Sequence, residues 1–386
     1  MCAIGQLLTL DEQTQPVENC GYVMIKSFSV ENFRCFAKIS LSDLRRVNVV
    51  VGKNAAGKTA LPEAIKLGLE ATPSVVPWLN ANRGIPFFVP PNVNNEQFQG
   101  AFLDFFHRFD PRATISTIVT DSLGKTGQLL VRFDPLQAVT IQPAIGFKPG
   151  TTGPSGIPLP PAMTIVPLAF ARKDFKGQGS TLFVTLNQNG QLQLQTGKAL
   201  GLVSGFFSGS NVGNPMENAV WLSNLRIAKS DQEVIEALHL HFPFIKDVTP
   251  EIYMGVQTIY ADIPSLPRKL PLSMISGGIS RLFTLMLAIV THKGGVVLID
   301  EVENGIYYDQ YPQVWRTLYE LAAHHDTQLF VSSHSIDCLK AILPIIRGKE
   351  DDFTLLRADK KNGNSIIHSV EGKFFQAAIE QGFDPR

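Results

Sequence analysis

Gly52-Lys53-Asn54-Ala55-Ala56-Gly57-Lys58-Thr59 fits the pattern G-x-x-x-x-G-K-[ST] without a departure. The residues just before it, Val47 to Val51, are mostly β-branched and read as a buried strand. The residues just after it, Thr59 to Leu69, have helical spacing, and Pro62 falls in the first turn, where no backbone donor is lost. The stretch therefore predicts a strand–loop–helix unit whose loop amides and helix N-terminus face an anion. In that unit Lys58 brings a point charge to the β- and γ-phosphates of a nucleotide, and Thr59 offers a hydroxyl to Mg²⁺. A glycine-rich turn arising by chance has no need of the strand before it or the helix after it.

Three further segments bear on the same chemistry. Val296 to Ile299 is an apolar run ending in Asp300-Glu301. Alone, these are two solvated charges at a strand end. Beside a phosphate loop, Asp300 can hold Mg²⁺ through water, and Glu301 can take a proton from the water that attacks the γ-phosphate. Gln328 to Val331 is a second apolar run, ending in Ser332-Ser333-His334-Ser335, where His334 can donate to a γ-phosphate oxygen. Ser276-Gly277-Gly278 precedes the apolar helical run Ile279 to Val290. This is either an ordinary N-cap or a second anion site, useful to another copy of the chain rather than to its own loop.

In this order the four segments resemble ABC-type ATPases of the SMC, RecF and OLD group. Ile25 to Phe36, with Asn32-Phe33-Arg34, looks like that group's first strand and turn. Asp300-Glu301-Val302-Glu303-Asn304-Gly305-Ile306, Trp315 and Ser333-His334-Ser335 are similar to the boxes of the OLD-like stand-alone ATP-binding proteins. The resemblance covers residues 23–74 and 271–386 and is weak between them. It departs from the pattern at Ile275-Ser276-Gly277-Gly278-Ile279, which lacks the transporter leucine and glutamine, and at Tyr307-Tyr308, where a histidine is usual.

The resemblance implies an α/β fold: a P-loop NTPase with an ABC-type head, a mixed sheet, a β-rich lobe and an inserted α/β segment. It implies ATP and Mg²⁺ as ligands. Nucleotide contacts would come from Asn32, Arg34, Gly52, Lys53, Asn54, Ala55, Ala56, Gly57, Lys58, Thr59, Ser276, Gly277 and Gly278. The metal would be held by Thr59 and Asp300, and catalysis would rest on Lys58, Glu301 and His334. It further implies ATP hydrolysis by a homodimer or higher homo-oligomer assembled head to tail. The output would be a switch or sensor in antiphage defence or DNA transactions, acting with a separately encoded effector such as a nuclease or toxin. A RecF-like repair ATPase that binds DNA directly is the alternative.

Composition narrows the setting. The 386 residues carry no formal net charge, so charge alone gives no argument for strong nucleic-acid binding. Charged residues make up 18%, below the usual ~25%, and hydrophobic residues 44%, which predicts extensive buried surface. Cys2, Cys20, Cys35 and Cys338 show no C-x-x-C spacing, which suits reduced thiols in the cytoplasm. Leu282 to Val290 is too short to span a bilayer, and the N-terminus has no signal-sequence pattern.

Residues 1–22 read as a polar extension and residues 23–386 as one ATPase domain, its core 23–74 and 271–386 interrupted by an insertion at 75–270. Within the insertion, Val75 to Asn95 reads as loop, Phe102 to Phe109 as a short helix, and Lys148 to Pro161 as irregular. Ala113–Thr120 and Gln128–Phe133 read as strands, and Asn187-Gln188-Asn189-Gly190 as a hairpin turn. Ser230-Asp231-Gln232-Glu233 fits a capping box. No heptad repeat predicts coiled-coil arms, and the 52 residues that follow His334 in the 386-residue chain are too few for a Toprim nuclease domain. His239 and His241 do not share a helix face, which argues against a metal pair. Gln97, Gln99 and Gln142 are undistinguished candidates for a nucleotide-sensing glutamine.

Overall fold

A computed structural model describes residues 23–85, 87–90, 93–141, 163–209 and 214–381. The polar extension, Cys2, Cys20, Gln142 and the Lys148–Pro161 stretch lie outside the described residues.

The chain begins with a hairpin, β1 (Ile25–Phe33) and β2 (Phe36–Leu41), whose turn holds Asn32 and Arg34 at φ of 57° and 48°. β3 (Val47–Gly52) is buried at every residue, as a central strand covered on both faces must be. The phosphate-loop segment leads into α1 (Ala60–Glu70), in which Ala60 to Leu69 are all buried. α2 (Val75–Ala81) corrects the loop expected there: burial of Val75, Val76 and Leu79 outweighs the composition, and Pro77 sits in the first turn. After α3 (Asn95–Gly100), the stretch read as one aromatic helix forms two 3₁₀ turns, Leu103–Phe105 and His107–Phe109. Arg108 and Phe109 at φ of 56° and 58° interrupt the helical ladder.

β4 (Ile115–Asp121) and β5 (Thr126–Phe133) alternate buried residues with partly or fully exposed ones. They are followed by the short pair β6 (Val139–Ile141) and β7 (Met163–Ile165), then β8 (Leu168–Lys173), β9 (Gly179–Leu186) and β10 (Leu192–Leu194). β11 (Ser204–Phe207) precedes α4 (Pro215–Ile227), α5 (Gln232–His241), and the strands β12 (Asp247–Tyr253), β13 (Val256–Asp262) and β14 (Leu270–Pro271). Then come α6 (Leu272–Ile275), α7 (Gly277–Thr291), β15 (Val296–Ile299), α8 (Tyr311–His324) and β16 (Gln328–Ser332). α9 (Ile336–Ala341), α10 (Leu343–Ile346), β17 (Phe353–Lys361), β18 (Asn364–Glu371) and α11 (Gly372–Glu380) close the order.

Two large sheets result. Six strands in the order β11-β15-β16-β3-β17-β18 are parallel except for the antiparallel edge β18. Seven strands in the order β10-β9-β8-β5-β4-β1-β2 form an antiparallel lobe. The 75–270 stretch supplies β11 to the parallel sheet and most of the lobe, with β1 and β2 completing the latter. Successive residues of each parallel strand serve opposite cores. Val49, Val297 and Val331 join the core under α7 and α8, while Val50, Leu298 and Phe330 join the core around α1 and the lobe. Gln328 ties the sheets together: its side chain accepts from Ile25 N at 2.9 Å and donates to Ile25 O at 2.9 Å and Arg45 O at 2.8 Å.

The capping box does not form. α5 starts one residue late for it, with Asp231 as N-cap, so Glu233 occupies the second helical position instead of the third. Ser230 Oγ donates back to Leu225 O at 3.3 Å, and Glu233 turns toward α8.

Candidate nucleotide site

Ligands of parallel sheets gather at the carboxyl ends of the strands. Here those ends are Gly52 of β3, Phe207-Ser208-Gly209 after β11, Asp300-Glu301 after β15 and Ser332-Ser333-His334 on and after β16. A cavity of about 660 Å³ opens there, lined by Arg34, Lys58, Thr59, Arg83, Glu301 and His334 among others. A smaller one of about 190 Å³ adjoins it, lined by Thr59, Glu63, Ser208, Gly209, Asp300 and Glu301 among others.

Lys58 is buried, and its ammonium donates to Gly52 O at 2.7 Å and Lys53 O at 3.0 Å, clasping the loop it belongs to. Burial pushes its pKa down, while Asp300, Glu301 and Glu303 push it back up. Thr59 is the N-cap of α1 but makes no side-chain capping bond, which leaves its hydroxyl to the cavity. Asn54, Ala55 and Gly57 also line the larger cavity; Gly52, Lys53 and Ala56 form the loop without lining it.

The acids are held individually. Ser332 Oγ donates to Asp300 Oδ1 and accepts from Glu301 N at 2.9 Å, so one buried hydroxyl sets both residues. Glu301 has φ 52°, an uncommon conformation for a non-glycine residue and one that costs energy. The bend brings its Oε1 to 2.9 Å from His334 Nε2. Glu303 Oε1 accepts from His334 N at 2.6 Å and Ser335 N at 3.1 Å, fixing the backbone that presents the imidazole.

Several residues here were not anticipated. Arg281, on α7, donates to Ser208 O at 2.8 Å and Asp300 O at 2.7 Å, joining the ends of β11 and β15. An arginine inside an apolar helical run was the available signal. Glu63 is fully buried and pairs with Arg83 (2.7 Å to each of two nitrogens) and with Arg34 Nε at 3.0 Å. Arg34 is flanked by the rings of Phe33 and Phe105, at 5.6 and 5.1 Å. Its Nη2 is buried with no hydrogen-bond partner among the described residues, a donor that a ligand in the cavity can satisfy. Asn32 stands apart: its amide donates to Thr114 O at 2.9 Å and it lines neither cavity. Among the described residues no glutamine lines either cavity; Gln97 caps α3 instead. The place beside Glu301 is taken by Gly209, where a Cβ would overlap the Glu301 carboxylate.

Ser276 caps α7 with an extended backbone (φ −164°) and no side-chain capping bond, and Ser276, Gly277 and Gly278 line neither cavity. A Cβ on Gly278 would overlap the Gly305 carbonyl, whereas one on Gly277 would meet nothing within 4 Å. Beside Gly305 in sequence, the rings of Tyr307 and Tyr308 lie 4.6 Å apart, both largely exposed. His239 and His241 go separate ways, to Lys246 O and Thr317 Oγ1. No helix among the described residues is long and apolar enough to cross a membrane.

Residues 24–189 match a family model described as an AAA ATPase domain. Residues 210–337 match a second, described as an AAA domain, putative AbiEii toxin, type IV TA system. Comparison with curated proteins returns no match. Among solved structures, the SMC head domain from Thermotoga maritima is similar at 14% identity and TM-score 0.42, covering 90% of this chain and 99% of that one. An Smc head bound to the C-terminal domain of ScpA derived from Pyrococcus furiosus gives 9% and 0.46, covering 93% and 99%. A third, an SmcHead bound to the C-winged helix domain of ScpA, gives 11% and 0.46, covering 90% and 98%. Each match covers less than half of the chain, and between them they include the strand ends that carry Lys58, Asp300, Glu301 and His334; the fold is α/β, that of a P-loop NTPase with a mixed sheet, a β-rich lobe and an inserted α/β segment.

Proposed function

We propose that the chain binds ATP with Mg²⁺, hydrolyses it to ADP and phosphate, and pairs head to tail with a second copy while ATP is bound. The observation that carries this reading is the Glu301–His334 contact of 2.9 Å on a cavity also lined by Lys58 and Thr59. A carboxylate held by an imidazole, beside a buried lysine and a helix N-terminus, is the set needed to position a water against a γ-phosphate. Lys58, the loop amides, Arg34 and Arg83 supply positive charge to the phosphates. Thr59 and Asp300 would hold Mg²⁺, which neutralises charge on the β- and γ-oxygens when bound. Glu301 takes the proton of the attacking water, and His334 holds that carboxylate in place. Asn32, by its contacts, serves the turn that presents Arg34.

Ser276, Gly277 and Gly278 would complete the nucleotide site of the second copy, with Tyr307 and Tyr308 beside them at the contact. The output we favour is a switch or sensor in antiphage defence or DNA transactions, acting in the cytoplasm with a separately encoded effector. The description of the second family model, which names a toxin–antitoxin system, supports defence.

Glu301→Gln tests the reading. It removes the base and keeps Asp300, so turnover should fall by about 10²–10⁴ while ATP remains bound. ATP-dependent pairing, followed by light scattering, should then persist instead of decaying. Wild-type turnover in this variant would place the base elsewhere.

A further inference from the structure

Glu233, diverted from the capping role its spacing suggested, reaches the end of α8. Its Oε1 lies 2.7 Å from Nδ1 of His324, and its Oε2 lies 2.7 Å from Nε2 of His325. The two imidazole rings stack at 4.9 Å with 26° between their planes. All the ligating atoms of the three residues lie within 4.8 Å of one another. None of the three lines the nucleotide cavities.

We propose that Glu233, His324 and His325 form a binding site for a divalent cation of the zinc class. Two adjacent histidines turn different ring nitrogens toward the two oxygens of one carboxylate, so the donor atoms already converge. Zinc binds imidazole nitrogen and carboxylate oxygen at ~2.0–2.2 Å, which in tetrahedral geometry sets neighbouring donors about 3.3–3.6 Å apart. The present contacts of 2.7 Å open by about 0.6–0.9 Å to admit the ion between them, a shift within reach of side-chain rotation. Two nitrogen donors select zinc-like metals over Mg²⁺ and Ca²⁺, which take oxygen. The C-terminal end of α8 adds its negative dipole to the carboxylate, and both favour a cation there.

His325 is mostly buried and anchors the site, while His324 is 66% exposed and leaves the remaining coordination positions to water. The ion then clips the first turn of α5 to the end of α8. That end leads directly into β16, the strand whose far end carries Ser332 and precedes His334. The role is structural: a cross-link between the inserted helices and the switch strand.

The test is a calorimetric titration of the untagged full-length chain with zinc chloride, in a buffer that does not chelate the metal. One equivalent should bind, and the thermal midpoint should rise with zinc. Glu233→Gln, His324→Ala and His325→Ala should each weaken that binding by more than the ~10–100-fold typical of losing a residue that only orients a ligand, and should abolish the thermal shift. Glu233→Gln keeps a hydrogen-bonding side chain, and His324→Ala alters an exposed one, so both preserve the fold. Cobalt(II) gives an independent reading, since its visible ligand-field band should be present in the wild type and lost in the three variants. Absence of zinc binding by the wild type, or binding of equal strength in all three folded variants, overturns the site.

Discussion

Lys58 is a cation withdrawn from water and compensated by two loop carbonyls and, at longer range, by Asp300, Glu301 and Glu303. Two neutral carbonyls do not replace the hydration of an ammonium, and a phosphate in the cavity does. A hydrogen bond to a charged group is worth ~1.5–3 kcal/mol, so Lys58→Ala should weaken nucleotide binding by roughly 10–100-fold. A fluorescence titration with a labelled ATP analogue measures this, and unchanged affinity would remove the phosphate-loop assignment. Residues of this kind were legible in the sequence because the chemistry fixes both their type and their spacing. Arg281 and Glu63 were not, because each acts on groups far away in the chain: Arg281 on backbone carbonyls of Ser208 and Asp300, Glu63 on Arg34 and Arg83. A carbonyl has no sequence signature, and a buried salt bridge between such positions exists only after the fold has brought them together.

At the scale of elements, the start of α7 separates two neighbouring glycines. Gly278 is pressed against the Gly305 carbonyl of the loop that follows Glu301, and Gly277 faces open space. Gly278→Ala must push that loop away and should lower thermal stability, on the scale of 1–3 kcal/mol for overpacking. Gly277→Ala has room, and should leave the thermal midpoint and monomeric ATP binding at wild-type values. If a second copy's γ-phosphate approaches Gly277, the same methyl should still reduce the ATPase rate several-fold. Full ATPase activity in Gly277→Ala would show that no ligand or partner comes close there. Elements themselves were readable where apolar periodicity and length agreed, as in β3, α1, α7, β15 and β16. They were missed where burial overrode composition, as in α2, or where a local signal lost by one residue, as when Asp231 displaced Ser230 as the cap of α5.

At the scale of the molecule, two sheets share the helix α1, which is buried from Ala60 to Leu69 between them. The loop at its head thus responds to both the parallel sheet and the lobe that carries Arg34. The same architecture leaves Ser276-Gly277-Gly278 outside the chain's own cavities, with an uncapped serine hydroxyl at the mouth of a 15-residue helix. On the proposed pairing, that hydroxyl and the glycine amides complete the partner's site, so two defective chains should repair each other. A Lys58→Ala chain binds ATP poorly but offers an intact α7 start. A Ser276→Arg chain binds ATP but offers a blocked one. Each alone should hydrolyse ATP at no more than a few per cent of the wild-type rate, as expected for ~10²-fold losses at a catalytic group. Mixed under exchanging conditions, they form pairs with one complete composite site, and the ATPase rate should rise to a maximum near equal proportions. Native mass measurement identifies the mixed pairs independently of activity. A mixture as inactive as its components, with mixed pairs present, would mean that hydrolysis needs both sites at once. Wild-type activity of Ser276→Arg alone would confine each active site to a single chain, and α7 would then begin with nothing more than an ordinary cap.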